Sequence, residues 1–214
     1  MKKNTVAKEL KKNDFRVAIF GSARIKKNDS AYRHVYNIAK EIGRHRFDIV
    51  TGGGPGLMEA ANIGHNDGDQ KNHSDNIGLP ILLPWTQIEK KNKHLELEKY
   101  FHKFSVRLDH FVALSNIMIV MPGGIGTTLE LFYCWQLVQV HHVRPIPIIV
   151  FGKMWEDLIK WVKKYQLKTG LVSPIDMSYV RIAHTEKEAI SMILGTYKKF
   201  RKHHQDNHKY LTAK

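Results

Sequence analysis

Residues 116–130 read NIMIVMPGGIGTTLE, an apolar run that ends in a glycine-bearing turn and continues into a segment with helical spacing. A short, nearly continuous apolar run is typical of a strand that is buried on both faces of a parallel sheet. We expect a helix to begin at about Gly126. This stretch therefore predicts a strand, a tight turn and a helix in direct succession.

The same alternation recurs along most of the chain, because apolar runs are separated by segments of helical periodicity. The runs are FRVAIFG (15–21), FDIVTGGG (47–54), DNIGLPILLP (75–84), NIMIVMPGG (116–124) and PIPIIVFG (145–152). A further strand is predicted at Tyr179–Ala183, before a helix whose capping box would be Thr185 and Glu188. Alternation of this kind predicts an α/β fold, with a doubly wound, mostly parallel sheet covered by helices on both faces.

Much of the positive charge lies at the two ends of the chain. The 214 residues carry a formal net charge of +14. Residues 1–14 hold five lysines and two acids, and residues 195–214 hold six basic residues and one acid. We therefore expect one domain over residues 15–200 between basic tails at 1–14 and 201–214. Solvated tails explain the charge more simply than recognition of nucleic acid does. A nucleic-acid partner is therefore the third and weakest of the functional hypotheses, behind the two described below.

Composition excludes several classes of protein. Cys134 is the only cysteine, which excludes an internal disulfide and a cysteine-based zinc site. The N-terminal sequence lacks the long apolar stretch of a secretion signal, and the apolar runs are too short to span a bilayer. We expect a soluble, cytoplasmic protein that has no metal site and no membrane partner.

Three glycine-bearing turns follow predicted strands, namely FGSAR (20–24), TGGGPG (51–56) and PGGIGTT (122–128). Parallel strands bring such turns to one edge of the sheet, where open amides and helix N-termini suit a phosphate. A single glycine turn is explained by the steric needs of a tight connection between strand and helix. Three such turns together favour a site that binds an anion. The glycine spacings of dinucleotide-binding turns and of Walker P-loops are absent. The expected ligand is therefore a mononucleotide or a sugar phosphate. The candidate phosphate-binding residues are Gly21, Ser22, Gly53, Gly54, Gly123, Gly124, Gly126, Thr127 and Thr128.

Two charged residues complete the candidate site. Glu130 lies about one helical turn after Gly126. There it could meet a positive charge that develops during a reaction, or it could favour the helix dipole or pair with a surface lysine. Arg107 lies in an otherwise apolar helical pattern, where it could fix a phosphate or a base edge, or extend its charged end to solvent. The residues alone leave both pairs of alternatives open.

The strings TGGGPGLMEAAN (51–62) and PGGIGTTLE (122–130) together resemble the signature of the LONELY GUY family of phosphoribohydrolases, which are often mislabelled as lysine decarboxylases. The resemblance covers about residues 16–165. It implies a Rossmann-like homodimer that needs no cofactor and hydrolyses the N-glycosidic bond of a nucleoside 5′-monophosphate, such as AMP or a cytokinin ribotide. It also implies that Arg107 and Glu130 are the catalytic residues.

Two positions depart from the family pattern. Leu108 stands where a Lys usually follows the Arg, and Leu129 stands where an acid usually precedes the Glu. The two changes could compensate and alter the choice of substrate, or they could mark a relative with little activity. We expect activity to be retained, with Glu130 stabilising an oxocarbenium-like sugar beside a phosphate that is bound on the amides of residues 123–127.

Three further expectations concern other functions and partners. The second-ranked hypothesis is a non-catalytic nucleotide or cofactor carrier protein of the same fold, because a fold alone does not fix function. The polar stretch from Trp85 to Lys103 is either a surface excursion or a cover over the ligand. The helix over Leu131–Val140 is richer in large apolar residues than one sheet face requires, which indicates a surface for a second subunit.

Overall fold

The computed structural model describes residues 5–83 and 91–212, with the backbone alone for 203–212, and these residues contain seven strands, eight α-helices and a short π-helical segment at Lys163–Leu167. The strands are β1 (Arg16–Phe20), β2 (Asp48–Thr51), β3 (Asn76–Gly78), β4 (Leu97–Glu98), β5 (Ile117–Val120), β6 (Ile148–Phe151) and β7 (Val180–Ala183). The helices are α1 (Val6–Glu9), α2 (Ser30–Arg44), α3 (Leu57–Gly68), α4 (Phe104–Leu114), α5 (Ile125–Gln139), α6 (Lys153–Val162), α7 (Pro174–Ser178) and α8 (Glu186–Thr212). None of the helices in these ranges is long and apolar enough to cross a membrane.

All seven strands form one parallel sheet in the order β4-β3-β2-β1-β5-β6-β7. The chain builds outward from β1, first through β2, β3 and β4 on one side and then through β5, β6 and β7 on the other. The predicted doubly wound fold is therefore confirmed. The direction of building reverses between β1 and β5, which is where open parallel sheets form a ligand-binding crevice beyond the carboxyl ends of the strands.

Helices cover both faces of the sheet, as strands without polar alternation require. Alternate residues of β1 divide the two cores, because Ala18 and Phe20 pack with residues of α4, α5 and α6, whereas Val17 and Ile19 pack with residues of α2, α3 and α8. Trp155 of α6 is 1% exposed and is among the largest buried side chains. This two-layered packing makes the sheet a firm support for the turns at its carboxyl edge.

The polar stretch Trp85–Lys103 packs against that edge in its described part. It contains β4, a two-residue strand that is too short to give a sequence pattern and was not predicted. The backbone N–H of Asn92 donates to the carbonyl of Gly53 (2.9 Å), and its side-chain amide donates to the carbonyl of Gly54 (2.9 Å). Residues 84–90 lie outside the described residues, so a cover over the ligand stays a prediction.

Helical segments lie within both predicted tails. Val6 of α1 is buried in the core, and the buried Glu9 pairs with Lys12 (2.5 Å) and with Arg16 at the start of β1 (3.0 Å). At the other end, the boundary expected after residue 200 falls inside α8. A count of charges could not show this, because it does not reveal which lysines have a carboxylate partner in the fold.

Candidate active site

The three glycine turns come together at the carboxyl ends of β1, β2 and β5. The backbone N–H of Ser22 donates to the carbonyl of Pro122 (3.1 Å), and the N–H of Leu57 donates to the carbonyl of Ser22 (3.0 Å). Gly56 has a φ of 68°, and a Cβ at this position would strike the backbone of Ser22 and Ala23. The protein's own main chain therefore holds the three turns together.

A cavity of about 670 Å³ lies between these turns, a volume within the usual range of small-molecule sites. The predicted residues that line it are Gly21, Ser22, Arg107, Gly124, Gly126, Thr127 and Glu130. A larger cavity of about 860 Å³ lies at the opposite edge of the sheet, beside Phe15 and Asp48. None of the predicted site residues lines that larger cavity, so we consider the cavity between the turns to be the candidate active site.

Four predicted residues lie near this cavity without lining it, namely Gly53, Gly54, Gly123 and Thr128. The carbonyls of Gly53 and Gly54 are turned towards Asn92, which donates to both. Gly123 allows the close approach of the Thr127 side chain, since a Cβ would overlap with it. The hydroxyl of Thr128 donates to the carbonyl of Gly124 (3.1 Å). These four residues thus have contacts with Asn92 or within the turns, and their predicted role in binding phosphate stays a prediction.

Arg107 crosses the floor of the site from α4. Its side chain is only 7% exposed, so it does not extend to solvent. Its Nε donates to the carbonyl of Leu79 (2.6 Å), just beyond β3, and its guanidinium lies over the ring of Phe111. The absence of a side chain at Gly52 makes room for this group, because a Cβ there would collide with the guanidinium. Several elements therefore fix the position of the Arg107 charge.

Glu130 reaches the same place from α5, one turn after the glycine turn. Its Oε1 lies 3.6 Å from Nη1 of Arg107, and its side chain is 14% exposed. The structure therefore pairs Glu130 with a buried arginine. Burial, and secondarily the charge of Glu130, raises the pKa of the Cys134 thiol far above its usual range. The thiol is therefore neutral at ordinary pH and unsuited to act as a nucleophile.

The N-terminus of α5 faces the cavity between these groups. Gly124 is the N-cap residue, and no side chain of the described residues caps the first turn. The first amides of a helix have no partner within the helix and carry partial positive charge, so they suit an anion. Glu130 and the first turn of α5 thus place a carboxylate and a surface that suits an anion side by side.

Several residues of the cavity were missed from the sequence. Arg24 lies on its wall two residues after Ser22, and a group of apolar side chains forms another part of the lining. The apolar group consists of Met58, Ile81, Leu83 and Phe104. Arg24 stands in the quoted turn FGSAR, but one arginine in a polar loop gives no spacing signal. The apolar residues follow the ordinary core patterns of a strand or a helix, which hides their second role.

The fold and the cavity define a Rossmann-like α/β protein whose site lies at the switch point of the sheet. Residues 58–193 match the model of a family described as "Possible lysine decarboxylase". The match covers more than half of the chain, and the chain belongs to this family, which includes the LONELY GUY phosphoribohydrolases that the sequence resembles. The predicted membership is confirmed.

Curated relatives carry names of nucleotide-cleaving enzymes. The pyrimidine/purine nucleotide 5′-monophosphate nucleosidase of Escherichia coli is 27% identical over 132 residues, which are 58% of this chain and 28% of the relative. A cytokinin riboside 5′-monophosphate phosphoribohydrolase of Arabidopsis thaliana is 22% identical over 188 residues, which are 86% of this chain and 83% of the relative. The chain therefore spans little more than a quarter of the E. coli protein and most of the Arabidopsis protein.

Solved structures share the fold at low sequence identity. A molybdenum cofactor carrier protein from Chlamydomonas reinhardtii aligns with a TM-score of 0.65 and 16% identity, over 86% of this chain and 99% of that chain. DNA processing protein A from Helicobacter pylori aligns with a TM-score of 0.53 and 16% identity, over 88% of this chain and 83% of that chain. At such identities the likeness extends to the fold and not to the ligand.

Proposed function

We propose that this protein hydrolyses the N-glycosidic bond of a nucleoside 5′-monophosphate, such as AMP or a cytokinin ribotide, to a free base and ribose 5-phosphate. The observation that carries the proposal is the Arg107–Glu130 pair beside the open N-terminus of α5 in one cavity. The names of the curated relatives support the same reaction class.

In this mechanism the first-turn amides of α5 bind the 5′-phosphate and thereby place the ribose next to Glu130. The bond between C1′ and the base nitrogen breaks, and positive charge develops on the sugar. The carboxylate of Glu130 stabilises this charge, as acidic side chains do in other sugar hydrolyses. A water oxygen bonds to C1′, and its proton is transferred to the departing base, which balances the reaction without a cofactor.

Arg107 orients Glu130 and the nucleotide. The hydrogen bond from Nε to the carbonyl of Leu79 and the close packing of the guanidinium over Gly52 fix the position of the group. Nη1 then lies next to the carboxylate of Glu130. A preorganised charge of this kind needs no rearrangement when the transition state forms. Arg107 thus holds the acid in place while the sugar changes charge.

The two departures from the family pattern have different surroundings. Leu108 is 3% exposed and does not line the cavity, whereas Leu129 is 47% exposed on α5. The leucines at these two positions leave both members of the Arg107–Glu130 pair in place, which supports retained activity. Decarboxylation of lysine is disfavoured, because pyridoxal chemistry uses a lysine for its Schiff base and none lines the described cavity.

A homodimer is the proposed assembly. Leu131, Cys134, Trp135 and Val138 of the stretch 131–140 are buried in the core of the protomer, so they are not available to a partner, whereas Phe132, Tyr133 and Leu137 are partly buried. An exposed apolar stripe runs along α5 to its C-cap residue Val140, with Ile125 at 87%, Leu129 at 47% and Val140 at 56% exposure. Exposed apolar stripes of this kind are typical of interfaces between identical subunits.

Chromatography of reactions with a panel of nucleoside monophosphates tests the proposed activity. Purified protein should release free base and ribose 5-phosphate, and Glu130→Ala and Arg107→Ala should each lose about 100-fold or more in turnover while still binding nucleotide. Nucleotide that is bound but never cleaved would support the carrier hypothesis instead. Near wild-type release of adenine from AMP by either variant would reject the assignment of these two residues.

A further inference from the structure

The geometry points to Arg24 as a second anchor for the phosphate of the substrate, on the wall of the cavity that adjoins the N-terminus of α5. The inference rests on the proposed function and deepens it, because it names the residue that selects nucleotides over nucleosides. Arg24 lines the same cavity as Gly124, Gly126 and Thr127.

The backbone fixes where the Arg24 side chain begins. Its N–H donates to the hydroxyl of Ser22 (3.1 Å), which closes a tight turn directly after β1. Ser22 is in turn bonded to Pro122, the residue before the glycines that lead into α5. Arg24 is therefore linked through two hydrogen bonds to the turn that presents the helix amides, although it is far from that turn in sequence.

The balance of charge in the cavity singles out this arginine. The ionisable acidic and basic side chains among the described lining residues are Arg24, Arg107 and Glu130. Because Arg107 and Glu130 form an ion pair, their charges largely offset each other. The guanidinium of Arg24 makes no hydrogen bond or ion pair within the part of the chain that the structure describes. The cavity thus holds one positive charge that none of its described acids balances.

A phosphate monoester supplies the complementary charge. It carries up to two negative charges near neutral pH and presents several acceptor oxygens. The planar fork of a guanidinium binds two of these oxygens at once, and the amides of α5 remain for the others. A nucleoside without phosphate would leave Arg24 without this partner, so the residue would discriminate between the two classes of substrate.

Kinetics with AMP and product inhibition test the role of Arg24. We expect Arg24→Ala to raise the KM for AMP roughly tenfold while kcat changes less than about threefold, because binding is lost and the reacting groups stay. Arg24→Lys should recover part of the affinity, since it keeps the charge but not the fork. Inhibition by ribose 5-phosphate should weaken by a similar factor, whereas inhibition by adenine, which has no phosphate, should stay unchanged.

Lys26→Ala is the matched control, because Lys26 is exposed in the same loop and does not line the cavity. It removes the same charge and should leave the KM for AMP unchanged. An unchanged KM in Arg24→Ala, or an equal loss in Lys26→Ala, would overturn the role of Arg24.

Calorimetric titration with ribose 5-phosphate separates this inference from the proposed function. If the wild-type protein cleaves no nucleotide, the proposed reaction fails. Weaker binding of ribose 5-phosphate to Arg24→Ala than to the wild-type protein would then still support the anchor. Equal binding by the two proteins would overturn it.

Discussion

Nη1 of Arg107 lies 3.6 Å from Oε1 of Glu130, and each residue comes from a different helix, α4 and α5. The separation of the two atoms is longer than a direct hydrogen bond, and it leaves the carboxylate close enough to be oriented. The pair is thus an electrostatic contact at the base of a cavity, where a sugar could approach the carboxylate from the open side.

Replacement of Arg107 by lysine tests this positioning role. Arg107→Lys keeps a positive charge but loses the Nε bond to Leu79, so the charge is no longer fixed in direction. We expect kcat for AMP to fall about tenfold or more, with a smaller change in KM, because orientation is lost more than binding.

The control for Arg107→Lys is Lys103→Ala, at an exposed position next to the start of α4 that does not line the cavity. Its kcat should match that of the wild-type protein. Full activity of Arg107→Lys, with an unchanged far-UV spectrum, would show that orientation by the guanidinium fork is not needed.

The meeting of the glycine turns could be predicted from the sequence, because parallel strands carry their C-terminal turns to one edge whatever the side chains are. The contacts of Arg107 could not. Its neighbours in sequence fit an amphipathic helix equally well with the arginine at the solvent edge or inside. The choice depends on Leu79 and Gly52, which reach the arginine only through the tertiary fold.

The same limit applies to the glycines of the second turn, whose predicted phosphate contacts stay a prediction. Gly53 and Gly54 stand in the right turn, yet their carbonyls bond to Asn92, which belongs to a stretch without helical or strand periodicity. The role of Arg24 has no signal in the sequence for a related reason, because its place on the cavity depends on the bond between Ser22 and Pro122. Local pattern thus predicts which turns meet, while long-range hydrogen bonds decide which atoms face the cavity.

Gly52 gives a second prediction, since the space above it is filled by the Arg107 guanidinium and the sulfur of Met58. Gly52→Ala should push the guanidinium out of place and lower kcat for AMP at least about tenfold, the scale expected for a misplaced catalytic group. Steady-state kinetics and thermal unfolding would be measured on the same preparation.

Gly195→Ala serves as the control for Gly52→Ala, because a Cβ at this position in α8 meets no atom within 4 Å. It should stabilise the protein by about 0.5–1 kcal/mol, the usual difference between glycine and alanine in a helix, with kcat unchanged. If Gly52→Ala retained full turnover, the fixed position of Arg107 would not matter for the reaction.

Asp48 predicts a pH dependence of stability at the edge of the sheet opposite the site. Burial raises the pKa of this carboxyl to about 7, even though the N–H of Asp75 and the guanidinium of Arg16 favour the ionised form. The folded state therefore holds a proton that the unfolded chain releases near pH 4. This contribution to stability is fully present below about pH 4 and is lost as the pH rises through 7.

Urea unfolding of wild-type protein and Asp48→Asn at pH 5 and pH 8 measures this contribution. The stability of the wild-type protein relative to the variant should fall by on the order of 2 kcal/mol between the two pH values, in proportion to the shift. The comparison cancels other titrating groups that both proteins share. A difference between the two proteins that does not change with pH would show that Asp48 has an ordinary pKa in the folded state.

The exposed stripe of α5 gives the last prediction, which concerns assembly. Val140 is 56% exposed, and a charge there would have to be buried without a partner if this stripe met a second copy of the chain. Val140→Glu should therefore shift the protein from dimer to monomer in sedimentation at micromolar concentration. Met154→Glu is the control, because Met154 is 47% exposed on α6 and shares none of the described cavities with α5, and it should leave the dimer intact. A wild-type protein that sediments as a monomer would rule out the dimer itself, whereas a dimer that persists in Val140→Glu would place its interface on another surface.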